Sequence, residues 1–268
     1  MNKSKLVLAG LCLISVSFFS CKDDKEEVVP SPQPDTTFVP GTVTLDITNV
    51  AGAVNVDETG GTFYTNSSGE SFNVTRLKYY ISKVQFYKVD ALVYEMPDSY
   101  FLVDESNQAT TKLAIPNVPG GGYTSVRFSI GVDSARNVSG AQTGALDPAN
   151  GMFWTWSSGY IFFKLEGTSP ASTQAGNSYV YHIGGFKNAN NTNAIREVEI
   201  DFMGESLIVD GSREAEIHVL ADVLKLFSTP TNTISIATLP VQMAPGGNAL
   251  LIADNYAKMF SFDHLHND

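Results

Sequence analysis

Hydrophobic and polar residues alternate along much of the chain from about residue 42 onward. The clearest case is 42–50, where Val43, Leu45 and Ile47 occupy every second position. A period of two is typical of a β-strand with one buried face. The same pattern, broken by turn residues, predicts a hairpin over 62–74 and strands over 77–87, 123–132, 178–185 and 195–202.

Helical spacing is found in one segment, 215–227. It begins as a strand through His218 and then places Val219, Val223, Leu224 and Phe227 at helical intervals. A long polar loop is predicted over 133–150. The sequence therefore predicts an all-β fold, an antiparallel β-sandwich with one short helix and long loops.

The N-terminus has the pattern of an exported lipoprotein. Residues 1–20 carry two early lysines and an apolar run, and they end at Ser20 before Cys21, the predicted lipidation site. The run is short for a membrane span, which disfavours an uncleaved anchor. Residues 21–40 are acidic and proline-rich, so we expect a disordered tether carrying one domain over 41–268.

The predicted location follows from that tether. Lys22, Asp23 and Asp24 directly behind the lipidated cysteine resemble a signal that sends lipoproteins to the outer face of the bacterial outer membrane. We therefore expect a lipid-anchored, surface-exposed protein of the outer membrane. The alternative is a domain anchored there but facing the periplasm.

Charge and cysteine content exclude several functions. The net charge of -11 repels phosphate, so no nucleic-acid partner is expected. The two cysteines are Cys12 and Cys21, both outside the predicted domain. The domain therefore has no thiolate for zinc fingers, iron–sulfur clusters, blue copper or nucleophilic catalysis.

The stretch 151–167 contains both tryptophans of the chain. In an extended strand Met152, Trp154 and Trp156 share one face. A buried aromatic strand explains this pattern. A thioether beside two oxidisable indoles also suits a soft metal such as copper.

Four histidines could supply nitrogen ligands: His182, His218, His264 and His266. His264 and His266 share a face if the C-terminal segment is a strand, although His266 lies near a chain end that could fray. A histidine that stands alone in a strand, such as His182 or His218, is more often a partly buried, hydrogen-bonded residue than a ligand.

Several motifs together resemble the MbnP-like copper-binding domain family. They are Gly-Met-Phe-Trp-Thr-Trp-Ser-Ser-Gly-Tyr-Ile-Phe-Phe-Lys-Leu-Glu-Gly at 151–167, Ile-Gly-Val-Asp-Ser-Ala-Arg-Asn at 130–137, Gly-Ala-Leu-Asp-Pro at 144–148, Tyr-His-Ile-Gly-Gly at 181–185, Ile-His-Val at 217–219 and Phe-Asp-His-Leu-His-Asn at 262–267. The resemblance covers the domain from about residue 42 to the end.

The resemblance implies a β-rich copper-binding protein in which a separate diheme MauG-like peroxidase-type enzyme oxidises a tryptophan to kynurenine. It implies Trp154 or Trp156 as the modified residue. It also implies that the copper ligands are His182, His218, His264 and Met152. One departure is Asn49, which stands at the end of the first strand where relatives often carry a histidine.

Two other classes of function compete with copper binding. Trp154, Trp156 and Tyr160 could form a stacking platform in a surface module for glycan or protein. An enzyme would need an acid–base pair, for which Asp133, Asp147 and Glu166 are the candidates. The sequence contains no P-loop, no Gly-x-Ser-x-Gly and no His-Glu-x-x-His, so we expect a protein that is not an enzyme.

Overall fold

The computed structural model describes residues 38–140, 142–155, 158–187 and 192–267, which form mainly β-strands. The predicted signal peptide and Cys21 lie outside the described residues. In chain order the strands are β1 Gly41–Ala51, β2 Val54–Asn55, β3 Phe63–Thr65, β4 Ser71–Asn73, β5 Arg76–Lys88, β6 Ala91–Glu95, β7 Tyr100–Asp104, β8 Lys112–Val118, β9 Gly121–Tyr123, β10 Ser125–Ile130, β11 Phe153–Thr155, β12 Gly159–Thr168, β13 Ser178–Gly184, β14 Arg196–Asp201, β15 Leu207–Val209, β16 Ala215–Asp222, β17 Val241–Gln242 and β18 Phe260–His266. The α-helices in these residues are α1 Ser134–Val138, α2 Leu224–Phe227 and α3 Asn248–Tyr256.

Two large sheets contain most of the strands. The five-stranded sheet has the order β18-β16-β1-β2, and β8 also pairs with β1. The nine-stranded sheet has the order β14-β10-β5-β12-β13-β17, with β6 and β7 on β5 and β11 on β12. Two small two-stranded sheets, β15-β9 and β3-β4, complete the strand pairing of the described residues.

The two large sheets pack face to face through aromatic side chains. The ring of Tyr79 on β5 lies 5.9 Å from that of Phe163 on β12 and 5.8 Å from that of Phe260 on β18, measured between centroids. The second contact joins the nine-stranded sheet to the five-stranded sheet. Each such aromatic pair contributes about 0.5–1.5 kcal/mol beyond the burial of its area. The hydrophobic core therefore lies between the sheets.

The outer face of the five-stranded sheet is polar because its strands alternate. On β1, Val43 and Leu45 are buried while Asp46 between Leu45 and Ile47 is partly exposed. On β16, Ile217 is buried while Glu216 and His218 are partly exposed. Side chains two residues apart share a face. The polar members of both strands consequently lie side by side on the outer surface of this sheet.

The prediction of a mainly β fold is confirmed, but the sheets are mixed and not purely antiparallel. β1 pairs in parallel with β16, and β13 pairs in parallel with β17. Parallel neighbours require a long crossover connection, and most of the domain separates β1 from β16. The spacing of the short strands in the sequence did not predict that β1 and β16 are neighbours.

The predicted helix over 219–227 is shorter than expected. β16 continues to Asp222, and the helix α2 covers only the four residues Leu224–Phe227. Val219 and Ala221 are buried while Leu220 between them is half-buried, so the period of two extends through this segment.

Two further helices were not predicted. The helix α3 has buried residues at the intervals expected of a helix, Ala249, Ile252, Ala253 and Tyr256. The helix α1 lies within the predicted loop over 133–150 and is capped by the Asp133 carboxylate, which accepts hydrogen bonds from two backbone N–H groups. In the part of the chain that the structure describes, no helix has the length and apolar character needed to cross a membrane.

Candidate metal centre

Three histidines converge on the outer face of the five-stranded sheet. The antiparallel pairing of β16 and β18 places His218 opposite His264 and Glu216 opposite His266. His264 and His266 are two residues apart on β18, so they share the face that His218 occupies on β16. We call His218, His264 and His266 the three-histidine cluster.

The three rings lie close to one another. The centroids of His218 and His264 are 4.2 Å apart, with planes 7° from parallel. His266 stands nearly perpendicular to both, 5.0 Å from His218 and 4.9 Å from His264. One ligand nitrogen from each ring lies within 4.8 Å of the other two. The rings therefore offer three donors to a single ion.

The separation of two of these nitrogens fits ligation. Nε2 of His264 and Nε2 of His266 are 3.1 Å apart. Two imidazole nitrogens bound at about 2.0 Å to one tetrahedral ion lie roughly 3.3 Å from each other. Without a metal, the same distance fits an N–H···N hydrogen bond in which one ring donates to the other. The separation of this pair therefore suits either arrangement.

Access to the cluster differs among its members. The His264 side chain is 47% exposed, whereas that of His218 is 20% exposed. Nε2 of His218 is buried, and its neighbour among the described residues is Glu216 Oε2, 3.3 Å away. An ion would therefore reach the cluster from the side of His264, which is the more exposed ring.

Two carboxylates lie next to His218, Asp46 on β1 and Glu216 on β16. Asp46 Oδ2 lies 3.8 Å from His218 Nδ1, and Asp46 and His218 occupy paired positions on β1 and β16. Asp46, Glu216 and His218 also form a group that could hold a metal ion. We call Asp46 and Glu216 the carboxylate pair.

A lysine contacts both members of the carboxylate pair. Lys112 on β8 is in register with Asp46, and its Nζ lies 2.8 Å from Asp46 Oδ2 and 3.4 Å from Glu216 Oε1. The hydrogen bond to Asp46 and the charges of Asp46 and Glu216 raise the pKa of Lys112 above its ordinary value. Lys112 is therefore an ammonium cation beside this site.

The structure does not bring His182 to the cluster. His182 lies on β13 of the nine-stranded sheet, and its neighbours Tyr181 and Ile183 point into the core. Its own side chain thus faces outward, away from the five-stranded sheet. His182 Nε2 lies 2.6 Å from Glu166 Oε1, and this hydrogen bond, with the positive charges nearby, holds the pKa of Glu166 below its ordinary value although burial opposes the shift.

Met152 and Trp154 also lie with the nine-stranded sheet. Met152 is fully buried among core residues, and its carbonyl accepts a hydrogen bond from the Ile161 N–H of β12. Trp154 packs over Gly184, where a Cβ would lie 3.0 Å from Trp154 Cζ3. Trp154 Nε1 is buried and has no hydrogen-bond partner among the described residues. The second candidate for modification, Trp156, lies outside the described residues.

Most of the described residues predicted for the two alternative functions have structural roles. Tyr160, the third member of the predicted stacking platform, is fully buried and cannot present its ring to a ligand. The three candidate acid–base residues have structural roles: Asp133 caps α1, Asp147 accepts a hydrogen bond from the Ala149 N–H, and Glu166 binds His182.

Asn49 occupies a buried position within a polar network. Its Oδ1 accepts a 2.8 Å hydrogen bond from the Tyr79 hydroxyl, and its Nδ2 donates a 2.8 Å hydrogen bond to Glu105. Both polar atoms of the amide are therefore satisfied within the protein. Asn49 points into the domain, whereas the three-histidine cluster lies on the outer face of the same sheet.

Comparison with known proteins supports the resemblance seen in the sequence. A sequence profile of the MbnP family matches residues 40–244. The chain belongs to the MbnP family. This family is associated with copper handling. The solved structure of MbnP from Methylosinus trichosporium is similar to this chain with a TM-score of 0.44 and 16% identity, over 78% of this chain and 81% of that chain. No curated protein matches the sequence.

Sequence reasoning missed part of this cluster. His266 was set aside as a residue near a fraying end, yet it pairs with β16 opposite Glu216. The His-x-His spacing was the available signal, because both imidazoles must share a face in a strand. Asp46, Lys112 and Glu216 gave no comparable signal, since strands distant in the sequence bring them together.

Proposed function

We propose that this chain is a lipoprotein, anchored through Cys21 at the outer membrane, that binds copper through the three-histidine cluster and has no enzymatic activity. The observation that carries this proposal is that one ligand nitrogen from each of three imidazoles lies within 4.8 Å of the other two on the outer sheet face. Membership of a family associated with copper handling supports copper as the metal.

The donor set fits copper chemically. Imidazole nitrogens suit copper, zinc, nickel and iron, and among divalent first-row ions copper binds most tightly to a given nitrogen site. Three protein ligands leave a coordination position open. With His264 about half exposed, an ion bound here would be accessible to a partner. These properties suit acquisition, storage or transfer of the metal.

Oxidation of Trp154 or Trp156 to kynurenine by a diheme MauG-like enzyme is a separate part of the proposal. It is supported by the resemblance of 151–167 to the family motif. Trp154 packs on the nine-stranded sheet, so its modification is not needed to complete the three-histidine cluster. Copper binding and tryptophan oxidation can therefore be tested independently.

The test is metal quantification on the mature protein from its native host, together with mass spectrometry of the tryptophan-containing peptide. We expect one copper per chain in the wild type and none when His218, His264 and His266 are all replaced by alanine. The matched control is His182→Ala, which should retain copper. Equal copper in the wild type and the triple variant would contradict the proposed site. A tryptophan peptide of unmodified mass would contradict only the kynurenine step.

A further inference from the structure

Lys112 and His218 contact the same two carboxylates. On one side, Lys112 Nζ is 2.8 Å from Asp46 and 3.4 Å from Glu216. On the other side, His218 Nδ1 lies 3.8 Å from Asp46 Oδ2, and His218 Nε2 lies 3.3 Å from Glu216 Oε2. The carboxylate pair thus separates an ammonium group from a proposed metal ligand.

The charge balance of this group depends on Lys112. Two ionised carboxylates and one ammonium leave a net charge of about −1 next to His218, and removal of the ammonium would leave about −2. The carboxylate side chains are only 13% and 20% exposed, so water screens them incompletely. The ammonium group of Lys112 therefore contributes to the electrostatic potential at the cluster.

That potential acts differently on the two oxidation states of copper. Negative charge nearby stabilises Cu(II) more than Cu(I), because the divalent ion carries the larger charge. Carboxylate oxygen is also a hard ligand, whereas Cu(I) selects softer ligands. Lys112 offsets the negative charge and occupies carboxylate oxygens that could otherwise bind Cu(II). Both effects favour the reduced ion.

We propose that Lys112 is a specificity-determining residue that shifts the three-histidine cluster toward Cu(I) by neutralising the carboxylate pair of Asp46 and Glu216. This inference rests on the proposed function, since it concerns copper held by the same histidines. It assigns Lys112 a positioning and charge-balancing role, without contact to the metal.

The experiment compares Lys112→Met with Lys112→Arg in the full chain. Lys112 is 59% exposed, so replacing it with a residue of similar length should leave the fold intact. Cu(I) and Cu(II) affinities are measured by competition with chelators, and the midpoint potential is measured by voltammetry. We expect Lys112→Met to raise the ratio of Cu(II) to Cu(I) affinity about tenfold, which lowers the potential by about 59 mV. Lys112→Arg should remain close to the wild type.

Two further variants keep the test specific. Glu216→Gln removes a negative charge and should shift the potential in the opposite direction to Lys112→Met. Lys88→Met makes the same charge change at the exposed end of β5, on the other sheet, and should have little effect. A general loss of folding would not produce shifts of opposite sign.

The outcomes separate this inference from the proposed function. If the wild type binds copper at the three histidines but Lys112→Met leaves the affinity ratio and potential unchanged, only the role of Lys112 is overturned. If the wild type binds neither Cu(I) nor Cu(II), the proposed function and this inference both fail.

Discussion

The imidazole rings of His218 and His264 lie face to face, 4.2 Å apart and 7° from parallel. They come from β16 and β18, whose antiparallel pairing sets them directly opposite each other. The His266 ring lies nearly perpendicular to both, 5.0 Å from His218 and 4.9 Å from His264. The metal site proposed here is thus a product of strand register on an outer sheet face.

Replacing one histidine of the three-histidine cluster should weaken copper binding, whereas replacing a histidine elsewhere should not. We expect His264→Ala or His266→Ala to reduce copper affinity by roughly 100-fold or more, beyond the 10–100-fold typical of groups that only support a ligand. His182→Ala should leave affinity unchanged because His182 lies on the other sheet. Isothermal titration with copper measures these differences. A loss of affinity in His182→Ala equal to that in His264→Ala would contradict the assignment.

Copper should stabilise the folded domain by mass action. At free copper about 100 times the dissociation constant, the expected gain is about 2.7 kcal/mol. For a domain of this size the gain corresponds to a rise of roughly 5–10 °C in Tm. Differential scanning fluorimetry should detect this rise in the wild type and not in the variant that lacks all three histidines. An equal rise in both proteins would place copper elsewhere.

Acid should destabilise the protein partly through Glu70. Its carboxylate accepts hydrogen bonds from Asn66, from the Ser235 hydroxyl and from the Ile236 and Ala237 N–H groups. Burial raises the pKa of Glu70, but these hydrogen bonds outweigh burial and hold the pKa below its ordinary value of 4.5. The ionised carboxylate therefore stabilises the fold fully above about pH 4.5, and this contribution is lost as the pH falls through the folded-state pKa.

The variant Glu70→Gln tests this contribution. We expect it to lower the free energy of unfolding by about 1 kcal/mol at neutral pH, a value reduced by solvent screening at this half-buried site. The difference from the wild type should shrink below about pH 4. The matched control is Glu205→Gln, at an exposed turn. Urea denaturation at several pH values is the measurement, and a difference that stays constant with pH would refute the prediction.

Gly184 is required for the packing of Trp154 on the nine-stranded sheet. A Cβ at Gly184 would lie 2.4 Å from the Tyr160 carbonyl oxygen and 3.0 Å from Trp154 Cζ3. We therefore expect Gly184→Ala to destabilise the domain by about 1–3 kcal/mol and to change tryptophan fluorescence. Gly122→Ala is the control, because its Cβ would meet only Ile208 at an ordinary 3.6 Å. Equal stability of the two variants would show that Gly184 can accept a side chain.

The strands of this fold were largely predictable, because local alternation records which face is buried. Val43, Leu45 and Ile47 are buried as their spacing predicts. Sheet order was not predictable in the same way. The parallel pairing of β1 with β16 depends on packing between distant segments, which one sequence does not encode locally.

The candidate site was also predictable only in part. His218 and His264 were identified from residue type and family resemblance, and the structure places them together. His182 and Met152 were assigned to the same metal, but the structure places them with the other sheet and in the core. The sequence did not predict a role for Lys112, because a lysine in an alternating strand usually lies on a solvent-exposed face.

X-ray absorption spectroscopy of the copper-loaded wild-type protein tests the central claim most directly. We predict nitrogen ligands at about 2.0 Å, with the outer-shell scattering of about three imidazoles and no sulfur. The signal should lose imidazole scattering in His264→Ala and remain unchanged in His182→Ala. A sulfur ligand at about 2.3 Å, or a spectrum that changes only in His182→Ala, would contradict the three-histidine site.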